Sequence, residues 1–266
     1  MKLPKLTDAL LTLENKVATF TMNRHDVRNA LTSTHLVDDI EQTIQWANTN
    51  FDVSVLVITG AGSAFSAGGN IKEMQNREGA FGGNVEEVQN HYRNGIQRIP
   101  LAIHNAEIPV IAAINGAAIG AGFDLANMCD LRIASSKAIM GETFINLGIT
   151  PGDGGAWFLQ RLIGYQKAAE LTFTGRTIKA DEALELGLVM AVVEPEALLE
   201  KTYELANKIA GQPSTALRLT KRQMKLAQRL ELKDFLDICA CFQGMCHNNP
   251  EHIEAVEKVL NNMKKR

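Results

Sequence analysis

The sequence predicts an α/β protein, with a strand-rich core over residues 1–195 and an all-helical segment over 196–266. Three observations predict it. "VSVLVITG" and "IPVIAAI" are continuous apolar runs rich in β-branched residues, the pattern of strands buried on both faces. Each run leads through a loop and a turn of small residues into a helical pattern, so "VLVITG…SAGGNIKEM" and "VIAAIN…GAGFDLANM" repeat one layout. From about residue 195 the apolar spacing is helical only, as in "LLEKTYELANKIAG" and "ALRLTKRQMKLAQRL".

The elements follow in order. "ALLTLEN" and "VATFTMN", joined by a polar turn, predict a hairpin. "NALTSTHLVDDIEQTIQWANTN" places Leu31, Leu36, Ile40 and Ile44 near helical spacing. Asn70 stands at the N-cap position before "IKEMQN". Residues 77–95, rich in Gly, Asn and charge, read as a mobile segment. "LRIAS" predicts a third buried strand, and "GITPGDGG" a turn before the helix "AWFLQRLI".

Composition narrows the class. The chain has 266 residues, 45% hydrophobic and 21% charged, as in an ordinary globular protein. A net charge of −3 with scattered Lys and Arg gives no footprint for nucleic acid or an anionic membrane. "MKLPKLTDALLTLENK" is a poor signal peptide, and the apolar runs are too short to span a bilayer. Cys239, Cys241 and Cys246 with His247 contain no C-x-x-C pair, so they read as the buried face of a helix rather than a metal site. Together these predict a cytoplasmic, reducing setting and no metal.

The glycine-rich turns exclude three chemistries. Gly120 and Gly122 lack the third glycine of a dinucleotide fingerprint. No glycine-rich stretch ends in Gly-Lys-Ser/Thr, and Ser66 is preceded two residues earlier by Ala64, so no nucleophile elbow forms. What remains is a pair of turns (Gly68, Gly69; Ala121, Gly122) that set free backbone N–H groups at helix N-termini. Facing one another, they would hold an oxygen that becomes negative. Asp124, between Phe123 and Leu125, is either a first-turn acid complementing the helix dipole or a buried carboxylate that moves a proton beside those donors. Asp153 in "TPGDGG" has its own plain reading as a turn residue.

"NRHDVRNAL", "VLVITGAGSAFSAGGNIKEM", "PVIAAINGAAIGAGFDLANMCDLRIAS", "LGITPGDGG" and "FTGRTIKADEALELGLV" together resemble the crotonase superfamily of enoyl-CoA hydratases and isomerases, from about residue 10 to the C-terminus. The resemblance implies a spiral of repeated β-β-α units with a helical C-terminal part that builds homotrimers, often paired into hexamers. It implies an acyl-CoA substrate and no separate cofactor. The thioester carbonyl would be polarised by the N–H groups of Gly69 and Ala121. CoA would lie along "RNAL" and "SAGGNI" (Arg28, Ala30, Ala67, Gly68, Asn70, Ile71), with Arg28 and Lys72 near its phosphates. Gly122, Phe144, Pro151 and Gly152 would complete the pocket.

The departures from the family pattern set the expected reaction. Asn70 stands for the usual Asp, Ala121 for a Gly and His25 for a Pro. Hydratases of this family use two glutamates; the first position is Asp124 here and the second is Phe144, which cannot move a proton. Asp124 acting as sole acid/base favours a double-bond shift, with hydration the alternative and a non-catalytic acyl-CoA-binding protein the third reading. Related enzymes place an Asp in the "TPGDGG" loop, but in gapless register it falls at Gly152. Asp153 is a candidate second acid one residue away.

Overall fold

The opening hairpin pairs β1 (Ala9–Glu14) with β2 (Val17–Met22) in antiparallel register. Its turn is Asn15-Lys16, both at positive φ (50° and 66°), the conformation that matches the twist of a two-residue hairpin. The computed structural model describes residues 2–264. After α1 (Leu36–Thr49), β3 (Val55–Gly60) and β4 (Ala64–Ser66) lead into α2 (Ile71–Asn76). Residues 77–95, read from sequence as a mobile segment, carry α3 (Val85–Asn94), closed at its start by a capping box between Asn84 and Glu87.

Following α4 (Arg98–His104), the same layout recurs as β5 (Val110–Ile114), β6 (Ala117–Ile119) and α5 (Ala121–Met128). Then come β7 (Leu131–Ser135), β8 (Ile139–Gly141), a 3-10 turn over Thr143–Leu147 and α6 (Gly155–Ile163). The remainder is α7 (Tyr165–Thr174), β9 (Thr177–Lys179), α8 (Ala180–Glu185), β10 (Ala191–Val193), α9 (Leu198–Ala210), α10 (Ser214–Leu226), α11 (Leu232–His247) and α12 (Pro250–Lys264).

The repeats stack. One six-stranded sheet runs β1-β2-β3-β5-β7-β10, parallel except for the hairpin, and a second runs β4-β6-β8-β9. Thus β3 lies beside β5 and β4 beside β6, so successive strand-strand-helix units form a mixed α/β spiral. The apolar runs are explained by period-2 alternation between two cores. In β3, Leu56 and Ile58 face the main core while Val55 and Val57 face a second core closed by Leu198, Ala206 and Ala210 of α9. Each such buried aliphatic side chain contributes about 1.5–3 kcal/mol, which makes the run a strand whatever its intrinsic propensity.

Buried cations fasten the helical part to this core. Arg218 of α10 caps the C-terminus of α1, its Nη2 donating to the carbonyls of Ala47, Asn50 and Val53 at 3.0 Å each. Lys221 donates to the Ile108 carbonyl and to Asp130, both at 2.6 Å. In contrast, α11 and α12 bury no residue in the single chain. The cysteine face expected to be buried is therefore open here: Cys241 is exposed, and Cys239 and Cys246 are half-buried.

Candidate active site

The "RNAL" and "SAGGN" segments run side by side. Ala67 N donates to Arg28 O at 2.9 Å and Leu31 N to Gly68 O at 2.8 Å. Asn29, at positive φ and fully buried, donates to the Ala61 and Ala64 carbonyls at 3.0 and 2.9 Å. It thereby fixes the turn that presents Gly68 and Gly69. Asn70 caps α2, its side-chain oxygen accepting from Lys72 N at 3.1 Å and its amide donating to Glu73 at 2.7 Å. Arg28, Ile71 and Lys72 are exposed, whereas Ala30 is buried.

The two small-residue turns meet. Gly68 has φ +77°, and a Cβ there would stand 3.0 Å from Ala121 N. Gly122 packs so closely on Ser66 that any side chain would overlap that residue's backbone. The N–H groups of Gly69 and Ala121 donate to no acceptor among the described residues. Both residues line one cavity of ≈ 220 Å³, walled by apolar groups including Leu31, Met74, Phe81, Ile96, Phe144 and Ile149. The Phe144 ring stands opposite Gly120, 3.7 Å from where a Cβ would lie. This is the geometry of a two-donor pocket for a developing oxyanion.

Beside that pocket Asp124 has two further carboxyl groups for neighbours. Asp124 is fully buried in the first turn of α5, and Glu142 and Asp153 are buried with it. The space a side chain would need at Gly155, the first residue of α6, is filled by Glu142 Oε1 and both Asp124 oxygens. Glycine is required there because carboxyl groups occupy its place. As carboxylates, none of these six oxygens has a donor among the described residues. Asp124 instead faces Glu142 and Asp153, and such a contact becomes a hydrogen bond only when one partner carries a proton.

The electrostatics follow from that crowding. Burial pushes Asp124 well above the ordinary carboxylate range, and the charges of Asp153 and Glu142 push it further. Burial lifts Glu142 to about 7, and it raises Asp153 as well. Tyr92, half-buried on α3, is raised by burial and by the Asp153 charge. The cluster therefore holds protons under conditions where an exposed carboxyl has lost them.

Of the three acids, Asp153 lines the cavity, with Asp124 and Glu142 behind it. Gapless register points to Gly152, which turns toward the Tyr92 ring; Asp153, one residue on, stands with the other acids, and both residues line a second cavity with Trp157 and Phe158. Pro151 is half-buried beside Gly152. Sequence reasoning did not single out Glu142 in "MGETF". Its signal was the pair Gly154-Gly155, which leaves room for carboxyl groups at the start of α6. Among the described residues, no group of His, Cys, Asp and Glu could hold a metal ion.

The chain has relatives among known proteins. A family profile described as enoyl-CoA hydratase/isomerase matches residues 12–262. A short-chain-enoyl-CoA hydratase of Clostridium acetobutylicum is 36% identical over 261 residues, covering 98% of this chain and 97% of the relative. A crotonyl-CoA hydratase of Syntrophomonas wolfei is also 36% identical, covering 96% and 95%. The crystal structure of an enoyl-CoA hydratase from Bacillus anthracis superimposes with a TM-score of 0.88 at 33% identity, covering 96% and 97%.

Proposed function

The chain belongs to the enoyl-CoA hydratase/isomerase family, and from that premise we propose that it hydrates a short 2-enoyl-CoA thioester. The observation that carries the proposal is the contact of Asp124 with Asp153 next to two free backbone N–H groups. A double-bond shift was expected from a single carboxyl; the two further carboxyl groups beside Asp124 favour hydration. The names of the relatives support the same choice.

Hydration needs one base and one acid in the same place. Asp153, ionised at the cavity wall, takes a proton from water as the oxygen bonds to the β-carbon. The double-bond electrons move toward the carbonyl, and the resulting enolate oxygen is held by Gly69 N–H and Ala121 N–H. One such donor is worth about 2.7–4 kcal/mol of transition-state stabilisation elsewhere. Asp124, behind Asp153 on the helix that also supplies Ala121 N–H, shares its proton across their contact, and a proton returns from Asp153 to the α-carbon. The product is the 3-hydroxyacyl-CoA, and the Asp pair ends with the proton count it began with. Coenzyme A enters as part of the substrate, and no separate cofactor takes part.

Arg28 and Lys72, exposed at the ends of the "RNAL" and "SAGGNI" strip, would meet the CoA phosphates. The exposed apolar side chains of α11 and α12 (Leu232, Leu236, Ile253) support self-association through the helical segment. No helix among the described residues is long and apolar enough to cross a membrane. The test offers the purified protein crotonyl-CoA and, separately, a 3-enoyl-CoA. Rapid formation of 3-hydroxybutyryl-CoA from the first supports the proposal. Conversion of the 3-enoyl-CoA to its 2-enoyl isomer without any hydration would reject it.

A further inference from the structure

Glu142 is the one member of the acid cluster to which the hydration scheme gives no task. It stands between β8 and the turn over Thr143–Leu147, is fully buried, and is shielded from the cavity by its neighbours. Among the described residues neither of its oxygens meets a donor. A buried carboxyl of that kind is unfavourable unless something answers it. The group that answers it is Asp124, whose carboxyl faces Glu142 on one side and Asp153 on the other. Gly155 closes the far side, because any side chain there would displace the Glu142–Asp124 contact.

From this geometry we infer that Glu142 is a positioning residue: through a shared proton it orients the Asp124 carboxyl and keeps a proton available to it while never touching substrate. The inference rests on the hydration reading for its kinetic consequence, but not for its structural one. Two carboxyl groups in contact share a proton whatever reaction follows. The titratable groups facing Glu142 are Asp124 from α5 and Asp153 from the loop before α6. Both are acids, so the ionised form of any one raises its neighbours. Removing the Glu142 charge therefore lets Asp124 lose its proton at lower pH.

The variants Glu142→Gln and Glu142→Ala separate positioning from mere packing. Glutamine keeps the shape and a hydrogen bond to Asp124 but cannot titrate. Its kcat should stay within about threefold of wild type, with the alkaline limb of the kcat–pH profile moved to lower pH. Alanine removes the partner, so kcat should fall about tenfold or more with KM nearly unchanged.

A second readout needs no turnover. Infrared titration of protonated carboxyl groups in the purified protein, with Asp124→Asn to identify the Asp124 signal, should show that signal titrating at lower pH in Glu142→Gln than in wild type. That decides the inference even where hydration is not observed. An Asp124 titration unmoved by Glu142→Gln overturns it, as does Glu142→Ala with wild-type kcat and pH profile.

Discussion

Asp124, in the first turn of α5, and Asp153, in the loop before α6, hold their carboxyl groups against each other in the buried interior. Among the described residues neither has a cation for a partner, and Glu142 adds a third acid to the same space. Such an arrangement is unfavourable for folding when all three are ionised. Perturbed carboxyl groups of this kind cluster at functional sites, which is why the proposed hydration is placed here.

Stability should carry the mark of that crowding. The three acids have folded-state pKa values raised above their unfolded ones, to about 7 for Glu142. The folded state then binds more protons than the unfolded state, so their contribution is fully present below the unfolded carboxyl range and is lost as pH rises toward 7. His104, lowered by burial, acts in the opposite sense in part of this window. The diagnostic is therefore a difference between proteins that share His104. Wild type should lose more stability than Asp153→Asn between pH 5 and pH 8 in urea unfolding. Equal losses would remove the like-charge account.

Gly68 should be needed for activity beyond its backbone conformation. At φ +77°, alanine costs roughly 1–2 kcal/mol in backbone strain alone, and its Cβ would overlap Ile119 O at 2.5 Å and press on Ala121 N at 3.0 Å. Gly187 has φ +79° with open space around it, so Gly187→Ala supplies the matched control. Both variants should unfold at lowered denaturant concentrations, Gly68→Ala at the lower because of its added backbone overlap, and activities are compared where both remain folded. Only Gly68→Ala should lose kcat, by about tenfold or more, because the oxyanion donors are displaced. Equal activity in the two would mean that the turns do not hold the reacting oxygen.

Phe144 should act as a wall. Replacing it with alanine opens the cavity opposite Gly120 without touching the acid cluster. The ratio of kcat/KM for a longer enoyl-CoA to that for crotonyl-CoA should rise about tenfold, in line with the modest energy that a few methylenes carry in an apolar pocket. An unchanged ratio would place the acyl chain elsewhere.

These expectations draw unevenly on what the sequence reveals. The strands were legible because β3 and β5 bury both faces and so read as unbroken apolar runs. Asn70 as an N-cap and the echo between the two turns were legible for the same local reason. The acid cluster was not. Asp124, Glu142 and Asp153 come from three separate elements, and their meeting depends on how the repeats stack. Linear register also cannot show that Gly154, at φ +105°, and Gly152, against Tyr92, rotate the loop so that Asp153 faces inward. The open face of α11 has a different cause, since Leu232, Leu236 and Met245 stay exposed among the described residues of one chain.

The central claim is that Asp153 and Asp124 act together to hydrate a 2-enoyl-CoA. Its most direct test is the initial rate of 3-hydroxybutyryl-CoA formation from crotonyl-CoA, measured for wild type, Asp153→Asn, Asp124→Asn and the double variant. Each single change should lower kcat by about a hundredfold or more, and the double variant should be little worse than either, as for groups that work as a unit. Hydration that survives Asp153→Asn at the wild-type rate would contradict the account.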